Sequence, residues 1–225
     1  NVNSVGVLYL LESIKRFSPH TKFYQASTSE MFGKILEPIQ NETTPFYPRS
    51  PYGVSKLYSH WMTINYRESF GLRACSGILF NHESPLRGPE FVTKKITTQL
   101  CEIKFGNREK LTLGNLNAKR DWGYAKEYVE AMWQMLQEKE AEDYVIATGQ
   151  IYGLNDFVRE AFSSFNLDWE KYVVIKNSLK RPLEIKSGYG SPIKANTKLK
   201  WRAKTFMPEI KPELVDEVRS DAIVA

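Results

Sequence analysis

Apolar residues at Val7, Leu8, Leu11 and Ile14 recur at helical spacing, and Ser18-Pro19 ends that segment, which predicts a first helix. Lys22 to Ser27 reads as a short strand. Residues 31–51 carry Pro38, Pro45, Pro48 and Pro51 and no steady period, so a long loop is expected there, and long loops in compact domains are commonly functional. Tyr52 to Phe70 is amphipathic and stops at Gly71, the pattern of a long helix; Arg73 to Phe80 is a buried strand. After a Pro/Gly turn at Pro85 to Pro89, helices are predicted over about Phe91 to Phe105, Ala125 to Gln137 and Leu154 to Phe165. Strands are predicted at Leu111 to Leu113, Tyr144 to Thr148 and Val173 to Ile175, and a last helix over Pro212 to Arg219. Strand and helix alternate, so the expected fold class is α/β with a parallel sheet, followed by a looser basic lobe.

Composition narrows the picture. With 225 residues, 42% hydrophobic and 25% charged, the chain is long enough for a sizeable core, and disorder, collagen and coiled coil are excluded as overall descriptions. The longest uncharged stretch, Tyr144 to Asn155, is too short and polar to span a bilayer. Asn1 opens the chain without a basic stretch, a cleavage site or an initiating Met, which raises the expectation that sequence upstream is missing. Cys75 and Cys101 both sit in apolar patterns and read as reduced, buried thiols, and the scattered His20, His60 and His82 give no zinc-site spacing. Charge is uneven. Residues 171–211 hold eleven Lys or Arg against Glu184 and Glu209, a net +9 within a chain of +5 overall. Such a segment suits an anionic ligand, or simply forms a solvated face.

Candidate chemistry begins at Tyr52-Gly-Val-Ser-Lys56, where Tyr and Lys at i and i+4 share one helix face. A nearby ammonium is expected to lower the phenol pKa and make Tyr52 a usable general base. A second match, Tyr172 to Lys176, falls in an extended segment that holds its side chains apart, so it is set aside. Thr28-Ser29-Glu30 falls at the carboxyl end of a strand, where open parallel sheets bind ligands, although the same residues also fit a polar turn with a helix cap. Asn81-His-Glu-Ser-Pro-Leu-Arg87 follows a buried strand and crowds polar groups together. Arg120 and Arg181 offer guanidinium forks for phosphate oxygens, unless each is paired with a surface carboxylate such as Glu184.

In order, these segments resemble the GDP-mannose 4,6-dehydratases, extended members of the short-chain dehydrogenase/reductase superfamily. The likeness runs through Gln25-Ala-Ser-Thr-Ser-Glu30, Thr43-Thr-Pro-Phe-Tyr-Pro-Arg-Ser-Pro-Tyr52, Asn65-Tyr-Arg-Glu-Ser69, Gly77-Ile-Leu-Phe-Asn-His-Glu-Ser-Pro85, Phe91-Val-Thr93, Gly114-Asn115, Arg120-Asp-Trp-Gly123 and Ile146-Ala-Thr-Gly149. The resemblance implies a Rossmann-type parallel sheet over about 1–165, with excursions near 85–125, and a smaller nucleotide-sugar-binding lobe over 166–225. It implies NADP as cofactor, GDP-mannose as substrate, GDP-4-keto-6-deoxy-mannose as product on the way to GDP-fucose, a cytoplasmic location and a homo-oligomer, dimer or tetramer. Catalytic roles would fall on Thr28, Glu30, Tyr52 and Lys56, cofactor contacts on Lys56, His82 and Arg87, and substrate contacts on Ser29, Asn81, Arg120, Arg181 and Glu184.

Nucleic acid, membrane and metal are not expected. The family's opening Gly-x-x-Gly-x-x-Gly turn finds no match among the 13 glycines; Gly188-x-Gly190 comes nearest, with Ile193 where a third glycine would stand. The chain therefore reads as the carboxyl-terminal portion of such an enzyme, lacking strands beside Lys22 to Ser27, with an exposed sheet edge and no turnover on its own. Two other readings are a nucleotide-sugar epimerase or reductase on the same scaffold, and a non-catalytic binding module using the basic segment.

Overall fold

The computed structural model describes residues 1–179 and 188–209. Helix α1 (Val5–Phe17) buries Val7 and Leu11, and strand β1 (Phe23–Thr28) follows it. A 3-10 turn at Ser29–Met31 and a two-residue strand, β2 (Ile39–Gln40), interrupt the stretch that proline content predicts to be continuous loop. Elements so short carry no periodicity to read. Helix α2 (Pro51–Phe70) starts where the Ser50 hydroxyl accepts the Gly53 amide, with Pro51 at its first turn. It stops at Gly71, whose φ of 67° is the left-handed conformation that glycine adopts without strain.

Strand β3 (Ala74–Leu79) runs parallel to β1, from Phe23 opposite Ala74 to Thr28 opposite Leu79. Strand β8 (Tyr144–Ile146) lies parallel on its other side, giving the order β1-β3-β8. All six β3 residues are buried, as a central strand with helices on both faces requires. Alternate side chains feed different cores. Ala74 packs with Val7, Leu11 and Tyr66 of α1 and α2, and Ile78 with Met31 and Phe32. Cys75 and Leu79 pack instead with Tyr128, Ala131 and Met135 of helix α4 (Ala125–Gln137).

Strand β4 (Asn81–Glu83) continues from β3 and pairs in parallel with β7 (Trp122–Tyr124). Helix α3 (Val92–Lys104) and strand β5 (Leu111–Leu113) follow, and the two-residue β6 (Lys119–Arg120) pairs antiparallel with β9 (Tyr152–Gly153). Helix α5 (Leu154–Ser163), the short α6 (Trp169–Tyr172) and β10 (Val173–Ile175), which is parallel to β5, complete a second core around Ile96, Leu100, Leu111, Phe157 and Phe162. Residues within the 1–165 span thus build part of that core, and Leu167 and Trp169 pack against it from beyond Phe165. Strand β11 (Tyr189–Gly190) pairs with β2. A Cβ at Gly190 would stand 2.5 Å from that of Ala147, so only glycine lets this strand close over the end of β8.

Polar side chains lock the layers. The Arg67 guanidinium near the end of α2 forms two parallel bonds to Asp143, at 2.9 and 2.7 Å, and a third at 2.9 Å to the Ala74 carbonyl. Asp143 also accepts the Ser76 amide at 2.7 Å. Among the described residues no helix is long and apolar enough to cross a membrane, and the helix expected over 212–219 lies outside them.

Candidate active site

The carboxyl end of β1 and the amino end of α2 meet. Thr28 ends the strand and its hydroxyl accepts the Glu30 amide at 3.3 Å, so Thr28, Ser29 and Glu30 turn together at the sheet rim. A Cβ on Gly53 would lie 2.8 Å from the Glu30 carbonyl oxygen. Glycine at that position is what allows the first turn of α2, and Tyr52 with it, to sit on this rim. The Tyr52 phenol is close enough to the Thr28 hydroxyl and the Glu30 carboxylate for both to act on its ionisation. Lys56, one turn along α2, donates to the Ala26 carbonyl at 2.9 Å, with its ammonium 5.8 Å from the centre of the Tyr52 ring. The four residues assigned catalytic roles are therefore neighbours.

Their electrostatics correct one expectation. The Tyr52 pKa is raised, not lowered: burial dominates and Glu30 adds to it, while the Thr28 hydroxyl and the Arg87 charge oppose them. The Lys56 ammonium is spent on the Ala26 carbonyl, and burial lowers its own pKa. In this state the phenol is protonated, and the groups favouring its ionised form are Thr28 and Arg87.

Strand β4 supplies the opposite wall. Ser29, Glu30, Asn81 and Arg120 line one small cleft together with Phe32, Gln40 and Phe80. The His82 Nδ1 lies 2.8 Å from the Phe80 carbonyl, which can only accept, so Nδ1 carries the proton. The ring stacks on Tyr128 at 4.8 Å, and burial lowers its pKa; the neutral imidazole keeps Nε2 as an acceptor. Arg87 sits nearby, its guanidinium 3.6 Å above the Phe91 ring.

Two buried carboxylates at this site have no role assigned by sequence. Asp121, fully buried, accepts the Thr148 amide and hydroxyl at 2.9 and 2.7 Å and the Gly149 amide at 2.9 Å, joining the β6–β7 segment to the turn after β8. Glu83 is buried beside Arg87 and Thr93. The crowding of His, Glu and Arg within seven residues is the sequence signal for Glu83; Asp121, wedged between Arg120 and Trp122, offers none beyond its charge. Arg181 and Glu184 lie outside the described residues. A larger groove of about 810 Å³, lined by Val5, Tyr47, Pro51, Val54 and Tyr58, contains none of the assigned site residues, and of the four assigned catalytic residues Glu30 alone lines the smaller cleft. Among the described residues no group of three His, Cys, Asp or Glu is placed to hold a metal ion.

Comparison with known proteins bears on this geometry. The family model described as GDP-mannose 4,6 dehydratase matches residues 1–214. The GDP-mannose 4,6 dehydratase of Dictyostelium discoideum is 47% identical over 96% of this chain and 66% of its own length. That of Homo sapiens is 46% identical over 96% and 63%, and GDP-mannose 4,6 dehydratase 2 of Arabidopsis thaliana 48% identical over 96% and 59%. The chain thus spans about two thirds or less of the length of these relatives. Among solved structures, RMD from Pseudomonas aeruginosa complexed with NADPH superposes with a TM-score of 0.88 at 22% identity, covering 97% of this chain and 73% of that one. The dTDP-glucose 4,6-dehydratase of Bacillus anthracis in complex with NAD gives 0.85 at 23% identity, covering 98% and 68%. At those identities the likeness is one of fold.

Proposed function

Because the chain belongs to the GDP-mannose 4,6 dehydratase family, we propose that its sheet rim carries the proton-transfer groups for dehydrating GDP-mannose to GDP-4-keto-6-deoxy-mannose with NADP. The observation that carries this reading is the meeting of the Tyr52 phenol, the Thr28 hydroxyl and the Glu30 carboxylate at one sheet rim. A hexose placed there has its 4-hydroxyl beside Tyr52 and Thr28, and its C5 and C6 toward Glu30.

The residues fit the nicotinamide end of a dinucleotide. Lys56 stands at the open side of β1 with an ammonium that can move from the Ala26 carbonyl to a ribose hydroxyl, His82 keeps a bare Nε2 for a donor, and Arg87 adds a cation. A bound nicotinamide would supply a hydride acceptor for the sugar C4 and a hydride donor for C6. Tyr52, acting in the ionised form that Thr28 and Arg87 favour, takes the 4-hydroxyl proton as C4 is oxidised, and Thr28 orients that oxygen. The resulting ketone acidifies the C5 proton, which Glu30 removes; Glu30 then protonates the departing 6-hydroxyl as water. Ser29, Asn81 and Arg120 line the same cleft and are assigned to sugar and phosphate contacts, with Arg181 and Glu184 assigned to the nucleotide sugar by family likeness alone.

A homo-oligomer is supported by an apolar stripe at Val54, Tyr58 and Trp61 on α2, exposed alongside Val5 and Tyr9 of α1. Two buried thiols, Cys75 and Cys101, support a cytoplasmic location. To test the reaction, the segment is fused to the remaining portion of the Dictyostelium relative and supplied with GDP-mannose and NADP, and the product is followed by its loss of one water in mass. Glu30→Gln is expected to lower kcat at least about 100-fold. Undiminished dehydration removes Glu30 from the mechanism.

A further inference from the structure

Glu83 is 4% exposed at the end of β4, and a carboxylate so placed is costly unless it is paired. Its Oε2 accepts the Thr93 hydroxyl at 2.6 Å, from the first turn of α3. The same oxygen lies 3.3 Å from Arg87 Nε, close enough for an ion pair although not aligned as a hydrogen bond. Arg87 is held from two other directions. Its guanidinium packs flat on Phe91, and its amide closes a turn onto the Ser84 carbonyl at 3.0 Å. The neighbouring Leu86 is 91% exposed, so this turn faces water, and a long flexible cation in such a place ordinarily hydrates outward.

Held in place, the guanidinium acts on two groups from different elements, Tyr52 of α2 and His82 of β4, favouring the ionised phenol and disfavouring the protonated imidazole. We propose that Glu83 is a positioning residue: with Thr93 and Phe91 it fixes the Arg87 guanidinium within reach of both the Tyr52 phenol and the His82 imidazole. That Tyr52 is the base whose ionisation matters rests on the function proposed above; the arrangement does not. The bland alternative is that Glu83 merely neutralises a cation that would stay where it is. The two predict opposite signs.

His82 is the reporter. Its ring faces the Phe80 carbonyl at Nδ1, Tyr128 of α4 in the stack, whose phenol is influenced by Asp121 and Glu127, the uncharged Gly123 across the β4–β7 ladder, and Arg87. The phenol faces Thr28, Glu30, Lys56 and Arg87. With only three histidines in the chain, a nitrogen-15 titration of the intact protein resolves each imidazole without any ligand. Arg87→Met is expected to raise the His82 pKa by about half a unit. Glu83→Gln is expected to raise it similarly, because the freed guanidinium leaves, and the double variant to raise it no further. A lowered or unchanged His82 pKa in Glu83→Gln overturns the proposal, as does an unchanged one in Arg87→Met.

Should Glu83→Gln fail to fold, Thr93→Val removes only the hydroxyl that orients the carboxylate. It is expected to give a smaller rise that Thr93→Ser restores to the wild-type value; equal values in those two variants also overturn the proposal. Because no substrate is used, a failed dehydration assay leaves this result standing, and a null titration leaves the dehydratase reading standing.

Discussion

The two outer strands of the central sheet are finished in opposite ways. Beyond β8, carboxylates take the backbone donors: Glu42 accepts the Val145 amide at 2.8 Å, and Asp121 accepts the Thr148 and Gly149 amides. Beyond β1, no strand pairs among the described residues, and the Ala26 carbonyl is met by a cation, the Lys56 ammonium. The first arrangement is buried and permanent, because an amide deprived of its acceptor has nowhere else to turn. The second is half exposed and exchangeable, since both the carbonyl and the ammonium can be hydrated. The assigned catalytic groups stand on the exchangeable side.

That contrast is broken or sharpened by four measurements. Asp121→Ala, which strips two amides and a hydroxyl of their acceptor, is expected to cost about 3 kcal/mol in urea unfolding at unchanged m-value. Glu42→Ala leaves one buried amide unsatisfied and should cost about 1–2 kcal/mol in the same assay. Acidification comes next. His60, 3% exposed with its Nδ1 3.2 Å from the Ser27 hydroxyl, has its pKa lowered from 6.5 by burial, as does His82. Protonation therefore favours the unfolded chain: stability is fully present above pH 6.5 and declines as pH falls below it. A loss of about 1 kcal/mol is expected between pH 7.5 and 5.5, part of it absent in His60→Gln. Lys56→Met should cost less than about 0.5 kcal/mol while abolishing turnover of the fused enzyme. A cost equal to that of Asp121→Ala would show that the two edges do not differ as described.

Periodicity made most of the frame legible. Helix α4 covers the predicted Ala125 to Gln137, although Tyr128, Ala131 and Met135 face the core while Val129 and Trp133 are exposed, and Gly71 ends α2 where a left-handed residue is needed. Strands β2, β6, β9 and β11 were not legible, because two residues show no alternation and their pairing is decided by partners far along the chain. At the site, Tyr52 and Lys56 were readable from helical spacing. Their approach to Glu30 depends on Gly53, whose need for closeness shows only in three dimensions. The sign of the Tyr52 shift was misread because spacing reveals a neighbouring charge and not the burial that outweighs it. Glu83 and Asp121 escaped assignment for the same reason: a buried carboxylate and a solvated one look alike in a sequence.

Helix α2 is clamped at one end and chemically active at the other. From Arg67, forked onto Asp143, to Tyr52 is fifteen residues, a rigid arm of about 22 Å at 1.5 Å per residue. Slack of a few degrees at the fork would swing the phenol by about 1 Å, a displacement on the order of what costs a reaction 100-fold. A lesion at Asp143, a helix length away from the phenol, should therefore surface as a defect in turnover as well as in folding.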